Sequence, residues 1–280
     1  MATQPAPPAT AAAADADIPA HKSAVRAAVW RQLAAVALPD SRFDRDFSSF
    51  IADFAGSAAA TERLAALREW RAARVVFVAP DNCLEALRAR ALADGKTLLV
   101  TTYGIRRGFV VLDRAAVAAD GRGPWYAATL DGMERVGRKV GLREMREGGW
   151  RVDVMVTGTG AVSARGVRFG KGHGFFDLEW GMLYSVGVVG MGTLAVGVVH
   201  DCQVVEEGSV ELRPDVFDTV CDVVVTPTRT LRVEEAVKPG VGILWDRLAE
   251  GMFEGIPPLR ELREMQDREG KGSTVELRKK

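Results

Sequence analysis

The chain has 280 residues, 48% of them hydrophobic and 26% charged, which is enough apolar material for one large domain or two smaller ones. Lysine plus arginine number 37, as do aspartate plus glutamate, so no net charge draws the protein to nucleic acid or to a membrane. Three cysteines outside any CxxC or CxxH pattern argue against a disulfide framework and a structural zinc site, and they indicate a reducing compartment, the cytoplasm.

The two ends of the chain differ in composition from its middle. Residues 1–20 are rich in alanine and proline and have no lysine or arginine, so we expect a disordered arm here. This segment is too polar for a signal peptide, and it lacks the arginine and serine of an organellar transit peptide. Residues 268–280 are predicted to form a charged tail, which leaves 21–267 as the folded domain.

Apolar periodicity and β-branched runs predict alternating helices and strands. In chain order these are helices at 23–37 and 60–73, a strand at 75–78, a helix at 84–93, a strand at 97–101, one short helix near 132–140, a strand at 152–156, a helix at 178–189, strands at 193–199 and 220–225, and helices at 243–253 and 259–266. The strand–helix–strand spacing over 75–101 predicts a right-handed βαβ unit, and hence an α/β fold with a mainly parallel sheet.

The most informative motif is the cradle loop, residues 168–177, which reads Arg-Phe-Gly-Lys-Gly-His-Gly-Phe-Phe-Asp. Its three alternating glycines leave backbone N–H groups uncovered and adopt positive φ freely. Arg168 and Lys171 add positive charge, and Asp177 adds a hard oxygen ligand. An anion-binding loop beside a carboxylate for magnesium is what a nucleoside triphosphate site requires.

The cradle loop matches neither common nucleotide fingerprint. Only three residues separate Gly166 from Gly170, where a Walker loop needs four, and Phe175 stands where a dinucleotide fingerprint has its last glycine. A glycine-rich turn with solvated cations is therefore the alternative interpretation. Four polar stretches nevertheless follow predicted strands, at the sheet edge where parallel sheets bind ligands, and this convergence favours a binding site. They are 80–81, 101–103, 157–163 with the cradle loop, and 200–203.

Three motifs in this order resemble the 5-formyltetrahydrofolate cyclo-ligase family, also called methenyltetrahydrofolate synthetase. They are Lys22-x-x-x-Arg26, the cradle loop, and Gln203 followed by Asp218-x-x-x-Asp222. The run Gly-Lys-Gly-x-Gly-Phe-x-Asp-Leu-Glu at 170–179 is closest to a divergent branch, the methenyltetrahydrofolate synthase domain-containing proteins. The resemblance implies a three-layer α/β/α domain with a mainly parallel sheet, similar to the NagB/RpiA/CoA-transferase type.

The resemblance also implies a reaction and its residues. ATP, used with Mg²⁺, phosphorylates the formyl oxygen of a reduced folate, and the folate N10 closes the methenyl ring. By position, Lys171 and Arg168 act at the transferred phosphoryl group, and Asp177 and Asp218 hold the metal. The implied ATP-binding set is Lys22, Arg26, Arg168, Gly170, Lys171, Gly172, His173, Gly174, Phe175 and Phe176.

On the folate side the chain departs from the family pattern. Asp81 stands where the family has a pterin-binding glutamate, and its alternative role is a helix N-cap. Phe175-Phe176 replaces the usual Tyr-Tyr, and the stretch 158–163 lacks the family's aromatic and carboxylate. Trp125, in a polar loop, is predicted either to stack on a flat substrate ring or to anchor its loop.

Three functions are therefore open. The first is a 5-formyltetrahydrofolate cyclo-ligase, with a small-molecule reduced folate as partner and no nucleic acid or membrane. The second is an enzyme of the same phosphoryl-activation type with another substrate, for which thiamine metabolism is one candidate. The third is a non-catalytic module that binds a nucleotide or a partner.

Overall fold

An eight-stranded mixed sheet forms the centre of the protein, whose computed structural model describes residues 18–205, 212 and 214–277. The strands are β1 (Val75–Val78), β2 (Thr97–Thr101), β3 (Phe109–Leu112), β4 (Arg138–Val140), β5 (Val154–Gly158), β6 (Ala161–Ser163), β7 (Arg168–Phe169), β8 (Leu194–Val198), β9 (Val204–Val205), β10 (Val223–Val225) and β11 (Thr230–Arg232). The main sheet has the order β11-β10-β8-β5-β1-β2-β3-β4, and β7-β6-β9 form a small second sheet.

Helices flank the main sheet. They are α1 (Ile18–Leu33), α2 (Ser57–Ala65), α3 (Arg68–Ala72), α4 (Glu85–Ala93), α5 (Arg114–Asp120), α6 (Gly123–Ala128), α7 (Leu130–Val136), α8 (Leu142–Glu147), α9 (Phe175–Ser185), α10 (Met252–Gly255) and α11 (Pro257–Leu277). Within the described ranges, none of the helices has the length and apolar character needed to cross a membrane.

The five central strands, β10, β8, β5, β1 and β2, run parallel, and antiparallel strands close both edges. Val76 on β1 pairs with Leu98 on β2 and with Val154 on β5, so the predicted parallel βαβ unit is confirmed. Val76, Phe77 and Val78 are fully buried, as strands covered on both faces require.

The strand order reverses between β1 and β5. From β1 the chain passes through α4 to β2 on one side, and from β5 it passes through α9 to β8 on the other. Since such crossovers are right-handed, the two helices lie on opposite faces, and the result is the expected three-layer α/β/α arrangement. A crevice is left beyond the carboxyl ends of β1 and β5, which is the usual position of a ligand site in such sheets.

Other sequence predictions were wrong in detail. The stretch 112–149, where one short helix near 132–140 was expected, holds the end of β3 and then α5, α6, α7, β4 and α8, each too short to show a clear period. The predicted helix 60–73 is two helices, α2 and α3, and the predicted helix 243–253 contains only the 3₁₀ turn Trp245–Arg247 and the first residues of α10. Helix α11 includes 259–266 and continues to Leu277; of the predicted arm and tail, residues 1–17 and 278–280 lie outside the described residues.

A buried arginine fixes the loop that follows β1. Arg88 on α4 is 1% exposed; its Nε donates to the carbonyl of Ala128 (2.8 Å) and its Nη1 to the carbonyls of Ala79 (2.7 Å) and Asp81 (2.9 Å). Burial lowers the pKa of Arg88, against nearby acids. The guanidinium thus ties α4 and α6 to the edge of the crevice.

We expect Arg88→Met to lower the free energy of unfolding by about 2–4 kcal/mol, because three buried carbonyls lose their donor. Arg90→Met, on the same helix, removes exposed ion pairs to Glu62 and Asp94 and should cost less than about 1 kcal/mol. Urea denaturation followed by circular dichroism measures both. Equal effects of the two substitutions would contradict the role assigned to Arg88.

Candidate functional site

A cavity of about 280 Å³ opens at the crevice beyond β1 and β5. It is lined by the residues that follow β1, β2 and β5, by the cradle loop, by α1 and by 215–218. Three of the four polar strand ends predicted to converge therefore do so. The fourth, 200–203, does not line this cavity; His200 Nδ1 instead accepts a hydrogen bond from the backbone N–H of Cys202 (3.2 Å), which caps the strand end.

The cradle loop presents its backbone to this cavity. Gly172 and Gly174 have φ of 109° and 66°, in the left-handed region that favours glycine. Helix α9 begins directly after them, at Phe175, so its first N–H groups point the same way. Within the described part of the chain, no acceptor takes a hydrogen bond from the backbone N–H groups of 170–174. These donors are free for an anion.

The cavity is lined by four cationic side chains: Lys22, Arg26, Arg168 and Lys171. Lys22 and Arg26 come from one face of α1, and Lys22 forms an ion pair with Asp218. Arg168 on β7 is 5% exposed, donates to Asp177 Oδ1 at 2.5 Å, and lies 4.5 Å from the ring centre of Phe176. The Arg168 Nε is buried and has no hydrogen-bond partner among the described residues. This concentration of positive charge suits a polyphosphate.

Lys171 reaches across the cavity mouth. Its Nζ donates to the carbonyl of Ser49 (3.0 Å) and lies 4.8 Å from the ring centre of Tyr103, whose hydroxyl donates to the same carbonyl (2.6 Å). Burial lowers the pKa of Lys171, while the carboxyls of Asp81 and Glu179 oppose this effect. The ammonium is therefore partly desolvated and close to acids on the far side of the cavity.

Asp177 and Asp218 line the same end of the cavity as the cradle loop. Burial raises the pKa of Asp177, and the neighbouring Asp218 raises it further, against Arg168. Two acids that repel each other suit a divalent cation, because Mg²⁺ binds one or two carboxylates and completes its shell with water and phosphate oxygens. No set of three or more histidine, cysteine, aspartate or glutamate side chains that could hold a metal ion occurs in the described residues.

Asp81 also lines the cavity, three residues after the end of β1. Its Oδ2 accepts from the backbone N–H of Gly158 (2.8 Å) and from the hydroxyl of Thr157 (3.4 Å). Asp81 occupies the N-cap position of the 3₁₀ turn Asn82–Leu84, but its side chain makes no capping hydrogen bond there. Burial raises the pKa of Asp81, against Lys171.

Glu179 also lines the cavity, and no prediction assigned it to the site. It is 2% exposed, and its Oε1 accepts from the hydroxyl of Thr101. Burial raises its pKa to about 8, against the Thr101 hydrogen bond. Because α9 begins at Phe175 rather than at 178, Glu179 stands one helical turn after Phe175 and faces the same way. A helix that begins at Phe175 predicts Glu179 on the cavity side, whereas a helix that begins at 178 does not.

The structure separates one predicted substrate residue from the rest. Trp125 lies on α6, is 64% exposed, and is not among the residues that line the cavity, which corrects its grouping with Asp81. His173 remains in the group and stacks on Phe175 with ring centres 5.3 Å apart. Burial lowers the pKa of His173, and Lys171 and Arg26 lower it further.

A model of the 5-formyltetrahydrofolate cyclo-ligase family matches residues 18–227. The chain belongs to this family. Methenyltetrahydrofolate synthase domain-containing proteins of Mus musculus and Homo sapiens are 34% and 33% identical to it over 254 and 255 residues. Each match covers 91% of this chain, but 66% of the mouse protein and 64% of the human protein, so the chain spans less than two thirds of these relatives.

Two solved structures are similar to this cyclo-ligase family member. That of 5,10-methenyltetrahydrofolate synthetase from Aquifex aeolicus has 20% identity and a TM-score of 0.47, covering 78% of this chain and 95% of that one. That of the Mycoplasma pneumoniae 5,10-methenyltetrahydrofolate synthetase has 10% identity and a TM-score of 0.43, covering 76% and 99%.

The pKa of Glu179 predicts how stability depends on pH. In the unfolded chain this group titrates near 4.5, and in the folded protein near 8. Below pH 4.5 the Glu179 carboxyl is protonated in both the folded and the unfolded protein, so it does not reduce the free energy of unfolding. Between pH 4.5 and 8 this carboxyl loses its proton in the unfolded chain but keeps it in the folded protein. The free energy of unfolding therefore falls by up to about 4–5 kcal/mol as the pH rises through this window.

Glu179→Gln removes the titration, so the free energy of unfolding of the variant minus that of the wild type should increase from pH 5 to pH 8. Urea denaturation at unit pH intervals, without added magnesium, measures this difference. Glu144→Gln, in an exposed ion pair with Arg138, serves as the matched control. A difference that stays constant across the range would show that Glu179 is ionised in the folded protein at neutral pH.

Proposed function

We propose that this protein is a cytoplasmic, ATP- and Mg²⁺-dependent 5-formyltetrahydrofolate cyclo-ligase. Membership of the family supports the reaction class. The three cysteines are free thiols, as expected in a reducing compartment.

One observation carries the proposal: the cradle loop keeps its N–H groups free at the same cavity end that holds the cations and two acids. A glycine-rich turn serving only as a connection would need neither feature. Free N–H donors, Lys22, Arg26 and Arg168 together fit the oxygens of a triphosphate. Asp177 and Asp218 fit Mg²⁺ beside it.

ATP would supply the phosphoryl group that makes the formyl oxygen a leaving group, after which N10 of the folate displaces it as phosphate and closes the ring. The chain's own residues position the reactants and neutralise charge. Lys171, whose Nζ donates to the carbonyl of Ser49, would approach the transferred group. Arg168, fixed by Asp177 and Phe176, keeps a second cation at the phosphate end.

The substrate would occupy the end that holds Asp81. This carboxyl is already oriented by Gly158, and it faces Lys171 across the cavity. A reduced folate would thereby lie with its pterin ring at Asp81 and its formyl group towards the cradle loop. Such an arrangement agrees with the reaction, which needs the formyl oxygen beside the γ-phosphate.

The test is turnover of 5-formyltetrahydrofolate with ATP and Mg²⁺, followed by the absorbance of the methenyl product. We expect Lys171→Met and Asp177→Asn each to lower kcat/KM by about 100-fold or more, because each removes charge that stabilises the transferring phosphoryl group. Lys139→Met and Asp131→Asn make the same chemical changes at exposed positions outside the cavity and should leave kcat/KM unchanged.

Two other outcomes would refute the cyclo-ligase function. ATP binding without turnover of this folate points to another substrate or to a nucleotide-binding module. Absence of ATP binding, measured by calorimetry with Mg²⁺ present, would remove every nucleotide-dependent function.

A further inference from the structure

Glu179 is an unusual group for the floor of a cavity. It is 2% exposed, and no lysine, arginine or histidine of the described chain forms an ion pair with it. Asp177, two residues earlier on the same helix, has Arg168 as its partner. A buried carboxyl without a cation destabilises a fold, and an apolar side chain of similar size would be more favourable here. Folding alone therefore does not explain this residue.

In the described chain, Glu179 and Asp81 each accept hydrogen bonds through only one of their two carboxyl oxygens. Thr101 donates to Oε1 of Glu179, and Gly158 and Thr157 donate to Oδ2 of Asp81. For the other oxygen of each group, the described residues provide no donor. Both residues line the cavity, so a ligand there can donate to these oxygens.

Other residues that line the cavity are apolar or aromatic. Phe50, Ile51, Tyr103, Ile105 and Phe175 line the same cavity. Thr101, which orients Glu179, is fully buried, so the acceptor oxygen is held in place by packing as well as by its hydrogen bond. A planar ring fits such walls, and N–H donors at its edge would meet the open oxygens.

We propose that Glu179 is a specificity-determining residue, which together with Asp81 accepts hydrogen bonds from the N–H groups of a planar nitrogen heterocycle. This rests on the proposed function, in which that heterocycle is the pterin ring of the folate. A carboxyl keeps an acceptor oxygen with or without its proton. The two carboxyls thus bind the substrate ring from two sides: Asp81 follows β1, and Glu179 lies on α9.

The experiment measures binding rather than turnover. Calorimetric titrations determine the affinity for 5-formyltetrahydrofolate without ATP and, separately, for ADP with Mg²⁺. Glu179→Met, which removes both oxygens at nearly constant length, should weaken folate binding by about 10- to 100-fold. ADP binding should change less than two-fold. Glu179→Gln keeps one acceptor oxygen and should lie between the wild type and Glu179→Met.

The matched control is Glu144→Met, at an exposed position outside the cavity, which should bind both ligands as the wild type does. Should Glu179→Met fail to fold, Thr101→Val removes the donor that orients Glu179 and should weaken folate binding alone. Unchanged folate affinity in the folded variants, or an equal loss for folate and ADP, would overturn the inference.

A further arm separates this inference from the proposed function. If the wild type does not bind 5-formyltetrahydrofolate, the proposed function fails, and the same variants are titrated with 2-amino-4-oxopteridine. Binding of this ring that weakens in Glu179→Met supports the inference by itself. No binding of the ring by the wild type overturns it.

Discussion

The reversal of strand order between β1 and β5 is the constraint on which the site depends. Because parallel crossovers are right-handed, α4 and α9 must lie on opposite faces, and the ends of β1 and β5 are left uncovered. Several polar groups of the cavity lie at this gap: Asp81 after β1, Thr157 on β5, and the cradle loop before α9. The chemistry is local, but its position follows from topology.

Ion pairs hold the separate pieces of the site together before any ligand arrives. Arg168 and Asp177 join β7 to α9, and Lys22 and Asp218 join α1 to the stretch before β10. These pairs are largely buried, so breaking either would leave a desolvated charge. A polyphosphate can bind the two cations and a divalent cation can bind the two carboxylates, so that no desolvated charge is left without a partner.

The sequence was most informative where local patterns decide the structure. Val75–Val78 and Thr97–Thr101 are short β-branched or apolar runs with clear boundaries, and both were predicted at their observed bounds. The cradle loop, including Asp177, could be identified as a candidate anion site from residue types alone, whereas Asp218 was assigned only through the family resemblance. Glu179 could not, because its role depends on where α9 begins and on contact with Thr101, 78 residues away. The short helices of 114–147 and the two-residue strands β7 and β9 are set by tertiary packing, which no local pattern records.

The carbonyl of Ser49 is a shared acceptor, since both Lys171 and Tyr103 donate to it. Because an ammonium has three N–H donors, Lys171 can donate to a ligand while it keeps its bond to Ser49. The stretch around Ser49, which comes from neither the sheet nor the cradle loop, is therefore linked by hydrogen bonds to two side chains that line the cavity. By thermodynamic reciprocity, whatever holds Ser49 in place also opposes the movement of Lys171 towards a phosphate.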